Sequence, residues 1–221
     1  MKKLLNLIFF ILCAPLCYAF VAQTVIFFFV HFNALWSDAF LYGAAGYFVL
    51  YSLFWWRKLT FLEVLEHELN HTVVAYLFFR NVIHLEADWR KGGHILAFGK
   101  PNTIILLAPY FLPLFTLPLI IVKPFMSAST HMFVDFFMGL TWAFHIVGLI
   151  NEFSPRQDDL KAVGMRASFL IVLVMNCIFA AITLGFALEQ YAAVGAYFKE
   201  AFLRAWKIYV WVWTRAFVSA K

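Results

Sequence analysis

The chain is poor in charge. Only 13% of its 221 residues are Asp, Glu, Lys or Arg, where a soluble domain carries about a quarter. That shortage excludes an ordinary soluble globular protein. Cysteine is scarce too: Cys13, Cys17 and Cys177 all lie in apolar runs and form no C-x-x-C pair. A disulfide framework and a cysteine-based metal site are therefore excluded. There is no internal repeat, no low-complexity tract and no polar domain with a basic patch interleaved with aromatics. Nucleic acid is excluded as a partner on that ground.

What fills the chain is apolar side chain. Hydrophobic residues make up 64% and aromatics 20%, including 28 Phe and eight Trp, and mean hydropathy is +0.83. This composition belongs in a bilayer, and it predicts an all-α integral membrane protein. Stretches of about 20 apolar residues are needed to span. Six candidates meet that need, at 4–32, 38–56, 61–80, 102–122, 132–150 and 163–187. The net charge of +5 resides in short loops and in the last residues of the chain, where it speaks to topology and anionic lipid headgroups.

Three parts are expected: an N-terminal transmembrane hairpin at 1–56, a membrane core at 57–187, and a basic amphipathic C-terminal helix at 188–221. The opening "MKKLLNLIFFILCAPLCYAFVAQ" imitates a signal peptide. Its apolar run, however, continues to about Phe32 without a clean A-x-A site, so it reads as a retained first helix with Lys2 and Lys3 cytoplasmic. "NVIHLEADW–RKGG–HILAF" has two alternating runs around a glycine-containing turn, which predicts a small β-hairpin over about 82–98. Pro109, Pro113 and Pro118 predict that the 102–122 segment is kinked or interrupted. In the last part, Glu200, Arg204 and Lys207 share one helical stripe with Trp and Phe elsewhere, which predicts a helix lying at the membrane interface.

The residues that carry chemistry are in "LEHELNHTVV". His67-Glu68-Leu69-Asn70-His71 is an H-E-x-x-H. On a helix its histidines lie one turn apart on one face, so both imidazoles can reach one metal ion and the glutamate can reach a bound water. Thr60-x-x-Glu63 reads as a capping box that starts this helix just inside the interface marked by Arg57 and Lys58. Ionisable groups at that depth point to function.

A zinc hydrolase site needs a third protein ligand and an open position. The segment "NEFSPRQDDLKAVG" offers Asp158 and Asp159. His145 lies inside a predicted span about two turns before Asn151, as a ligand, an outer partner or a packing group. His31, His84, His94 and His131 fall at predicted span ends or in the hairpin, where histidines commonly serve structure.

These residues resemble the membrane-embedded zinc metalloproteases of the site-2 protease class, peptidase family M50, especially its compact M50B-like branch. The likeness covers about residues 60–165: "HELNHTVVAYLF", the hairpin with "KGGHILAFG", the proline-marked "IILLAPYFLPLF", and an Asn/Pro/Asp segment roughly 90 residues after the first histidine. It implies Zn2+ held by His67, His71 and an aspartate, with Glu68 as general base. The family's usual Asp-Gly is missing here. "PRQDD" looks like the P-x-Q-(S/T)-D variant, which aligns Asp159 with the ligand and keeps Asp158 as the alternative. Asn151 matches the family's asparagine only loosely, as a substrate-positioning residue.

The activity implied is hydrolysis of peptide bonds within or near transmembrane segments of membrane-protein substrates, in the plasma (inner) membrane of a bacterium. A transmembrane protein substrate and membrane lipids are then the expected partners. The rival expectation is a non-catalytic membrane scaffold that retains the motif. One difficulty follows from the spans. If each crosses fully, His67 and Asp159 differ in depth by about half a bilayer, on the order of 15 Å. Either the 151–162 segment turns back inward or the 102–122 segment does not cross as a simple helix. Arg90, Lys91, Arg156 and Lys161 fall outside in the simplest arrangement with the N-terminus inside, so charge does not set the orientation.

Overall fold

The computed structural model describes residues 2–54, 59–88, 92–97 and 99–215, and it is mostly helical. In chain order come α1 (Lys2–Val30), α2 (Phe32–Trp36), α3 (Ala39–Phe54) and α4 (Leu59–Leu77). Strands β1 (Val82–Asp88) and β2 (Gly92–Ala97) follow, then α5 (Thr103–Leu107), α6 (Leu117–Val122) and α7 (Ala128–Glu152). The chain continues with α8 (Asp158–Val163), α9 (Met165–Ala187) and α10 (Tyr191–Trp213).

Among the described residues, three helices are long and apolar enough to cross a membrane: Ile11–Val30 within α1, Ala128–Glu152 and Met165–Ala187. The apolar Ala39–Leu53 in α3 is shorter. With α3, three of the six expected spans depart from the simple pattern, the other two for plain physical reasons. Helix α4 carries Glu63, Glu66 and Glu68 beside its two histidines, so it is too polar to be a plain lipid-facing span. The 102–122 segment is not one helix. It breaks into α5, a 3-10 turn at Ala108–Tyr110, a bend through Pro113, and α6. Proline has no N–H to donate, and its ring clashes with the preceding turn. Pro109 and Pro118 accordingly sit in the first turns of their short helices. The freed backbone finds side-chain partners: the Asn176 amide on α9 donates to the Tyr110 carbonyl at 2.8 Å, which is how irregular backbone is accommodated away from water.

Helices α3 and α7 approach closely at reciprocal glycines. A Cβ on Gly43 would lie 1.7 Å from the Phe136 carbonyl oxygen, and one on Gly139 would lie 1.8 Å from that of Phe40. Small residues that let two backbones touch are the usual device for packing helices in lipid. The helix pair is thereby fixed, and α7 becomes the frame against which α4 is set.

Helix α4 already includes Leu59, one residue ahead of the cap expected at Thr60, whose side chain lies outside the described residues. Strands β1 and β2 pair antiparallel, from Val82 opposite Ala97 to Asp88 opposite Gly92, with an irregularity between Val82 and His84. Both pack against α4. The expected turn at 89–91 and the side chains of 85–98 lie outside the described residues.

Helix α10 forms where the basic amphipathic C-terminal helix is expected, and it lies against α1. It runs antiparallel alongside α1: Tyr209 donates to the Leu12 carbonyl, Arg204 lies 3.5 Å from Gln23, and the Tyr197 and Thr24 hydroxyls are 2.9 Å apart. Tyr197, Ala201 and Ala205 form its buried stripe at i, i+4 and i+8. Two alanines in that stripe allow close approach, and the Phe20 ring of α1 packs edge-on against Tyr197, Phe198 and Phe202.

Candidate metal centre

Helical spacing places His67 and His71 one turn apart on α4, with ring centroids 4.9 Å apart. Their Nε2 atoms lie 3.6 and 3.3 Å from one oxygen, Oδ2 of Asp159. Ligands about 2.1 Å from a tetrahedral ion are themselves separated by about 3.4 Å. The three side chains form a group that could hold a metal ion, with ligand atoms all within 4.8 Å of one another.

The other ring nitrogens are already engaged. Nδ1 of His67 lies 2.5 Å from Glu152 Oε2, and Nδ1 of His71 lies 2.8 Å from the Ile105 carbonyl oxygen. When Nδ1–H donates to these acceptors, Nε2 is left with its lone pair, the tautomer that binds a metal. The acceptors come from different elements. Glu152 is the last residue of α7. Ile105 lies in α5, whose N-terminus is capped by the Asn102 side chain accepting from the Ile105 N–H at 2.9 Å.

Asp159 arrives through α8, a six-residue helix that ends at Gly164, whose φ of +98° favours glycine. Leu160 is fully buried among Val74, Ala75, Ile105 and Tyr110, which anchors α8 against α4 and the broken segment. With Leu160 inward, helical rotation turns Asp159 toward the histidines and Asp158 away. The Asp158 side chain is 95% exposed and pairs with Lys161 at 2.7 Å, three residues along. Both irregular segments meet at this group: α8 packs on α5 and α9 and carries Asp159 to the two histidines, and 102–122 is broken where it passes them.

Glu68, between the histidines, is almost fully buried. Asn151 and His145 stand apart from His67, His71 and Asp159. The Asn151 amide donates to Glu63 Oε1 at 3.4 Å, while His145 faces Glu66, with Nδ1 3.7 Å from Oε1. Of the remaining histidines, His131 pairs with Glu189 at 2.5 Å, far along the chain from the centre.

Two residues beside the centre escaped sequence reasoning. Glu152 sits within the quoted "NEFSPRQDD", but nothing in local periodicity ties α7 to His67. Tyr110 packs its ring edge-on against His67 at 5.4 Å and is fully buried, its hydroxyl without a partner among the described residues. Glu152→Gln is expected to weaken metal binding at the His67–His71 pair by about 10–100-fold, the usual effect of losing an outer carboxylate. Competition with a chromogenic chelator reads this directly, and an unchanged affinity would remove Glu152 from the centre.

No family model matches the sequence, and no curated protein or solved structure matches it.

Proposed function

We propose that this chain is an intramembrane zinc metalloprotease that hydrolyses peptide bonds within or near transmembrane segments of membrane-protein substrates. One observation carries the reading: His67 Nε2 and His71 Nε2 both face Asp159 Oδ2, with both Nδ1 atoms held from behind. The donor set suits zinc, being two neutral imidazoles and one carboxylate with a fourth position left for water. The metal centre also sits in a chain whose composition and long apolar helices belong to a membrane.

His67, His71 and Asp159 would hold the zinc, which would supply Lewis acidity toward the scissile carbonyl and the attacking water. Glu68 is the general base: it takes the proton of the attacking water and returns it to the leaving amine. Asp159 is the most exposed of the three ligands, its side chain 24% accessible, so the approach to the centre lies on its side. A transmembrane peptide bond is shielded by its own helix and must be unwound before attack. Strands β1 and β2 form a two-stranded sheet against α4, and each strand of such a sheet keeps one free edge. An unwound substrate strand pairing with that edge recovers the main-chain hydrogen bonds it lost.

The test is Glu68→Gln in the full chain, reconstituted with a candidate transmembrane substrate. Cleavage is expected to fall by at least about 10²-fold, the lower range for a general base, with zinc content unchanged. Cleavage retained by that variant would overturn the proposal.

A further inference from the structure

A second polar group lies behind the metal-bearing face of α4 and has no part in the reaction proposed above. Glu66 and Asn70 occupy α4 one turn apart, on a different face from His67 and His71. Across from them on α7 is His145, and beside it Tyr47 of α3 packs against Phe144 with ring centroids 5.9 Å apart. All four are buried: Glu66 to 5%, Asn70 to 0%, His145 to 1% and Tyr47 to 2% exposure.

Their polar atoms are largely unmatched. Glu66 Oε1, both amide atoms of Asn70, His145 Nε2 and the Tyr47 hydroxyl have no hydrogen-bond partner among the described residues. Buried polar atoms are paired in the great majority of cases, and two of these five, Glu66 Oε1 and Asn70 Oδ1, are acceptors that a cation would satisfy. Charge narrows its identity. The ion-pair partner of Glu66 among the described residues is His145 alone, at 3.7 Å, and no lysine or arginine there neutralises it. A buried carboxylate without a cation is costly.

The 3.7 Å separation is too long for a hydrogen bond. It matches the spacing of two atoms sharing one ion, as do the 3.3 and 3.6 Å separations at the first centre. We infer that Glu66, His145 and Asn70 form a second divalent-cation site, separate from His67, His71 and Asp159. Glu66 Oε1 and His145 Nδ1 are the principal donors, and the unpartnered Asn70 carbonyl, one turn along α4 from Glu66, is the third. A cation there neutralises Glu66 and ties α4 to α7 directly behind the histidines.

The test is a count of metal per chain in the full-length protein, purified in detergent without chelator and titrated with zinc or manganese alone. Two ions per chain are expected. Glu66→Gln and His145→Gln, which preserve size and polarity, should each lower the count by one, and Asp159→Asn should independently lower it by one. A loss with Glu66→Gln that persists in the Asp159→Asn background supports the second site even if the first proves empty. A wild-type count of one that Asp159→Asn abolishes overturns the inference. So does a count that neither Glu66→Gln nor His145→Gln changes. The wild-type count stands without any variant, so a misfolded substitution does not blunt the test.

Discussion

Asp159→Asn is expected to empty the His67–His71 centre, while Asp158→Asn leaves it intact. The two neighbours have the same chemistry and differ only in placement. Asp159 presents Oδ2 to both imidazoles at 3.6 and 3.3 Å, whereas Asp158 stands in solvent against Lys161. An asparagine keeps the shape of the ligand and loses its charge, so the ion loses its one anionic donor. Losing an outer partner costs about 10–100-fold in affinity, and losing the ligand itself should exceed that. Leu160 remains in place to anchor α8, so the backbone should not move. An exposed ion pair contributes little to stability, so Asp158→Asn should be silent in metal affinity and in thermal unfolding alike. Chelator competition on the two variants decides the matter. Equal losses in both would mean that α8 does not hold the register described here.

Lys123→Met should be the most damaging single change to stability. The Lys123 ammonium is completely buried where α6 ends, and it gathers three acceptors from two helices. It donates to Asp135 Oδ1 at 2.6 Å on α7, and to the carbonyls of Ala187 at 2.6 Å and Phe186 at 3.0 Å. Those carbonyls belong to the last turn of α9, where Phe186 also accepts from the Glu189 N–H at 3.3 Å and Ala187 has no further helical N–H to satisfy it, and a cation there also complements the helix dipole. Removing the lysine strands the buried Asp135 carboxylate and the helix end together. Breaking a buried pair from one side costs about 3–5 kcal/mol. The double variant Lys123→Met/Asp135→Leu should recover part of that, because it removes the uncompensated charge. Thermal unfolding in detergent of the singles and the double measures the coupling, and simple additivity would show that the pair is not the source of the loss.

The distinction between Asp158 and Asp159 shows where sequence reasoning stops. Helical periodicity is a local rule, and it put His67, Glu68 and His71 on one turn of α4 without reference to anything else. Composition likewise points to lipid, and three helices among the described residues are long and apolar enough to cross a membrane. Prolines at 109, 113 and 118 foretold a broken segment, and the break is where they place it. Each of these depends on residues within a turn or two of one another.

The other half of the centre depends on contacts made far along the chain. Asp159 meets His67 across 92 residues and Glu152 meets it across 85. Which carboxylate faces inward was decided by burial of Leu160 against α4 and α5, and which acceptor holds His67 was decided by where α7 ends. The direction of α10 was settled in the same way, by an alanine stripe fitting against α1. The sequence by itself determined the membrane setting, the two imidazoles and the glutamate between them. The tertiary structure alone decided which carboxylate faces the two imidazoles, which groups engage their other ring nitrogens, and that Glu66 and His145 are buried together behind them. Short-range periodicity is encoded residue by residue, whereas a long-range contact exists only once packing has chosen which faces meet.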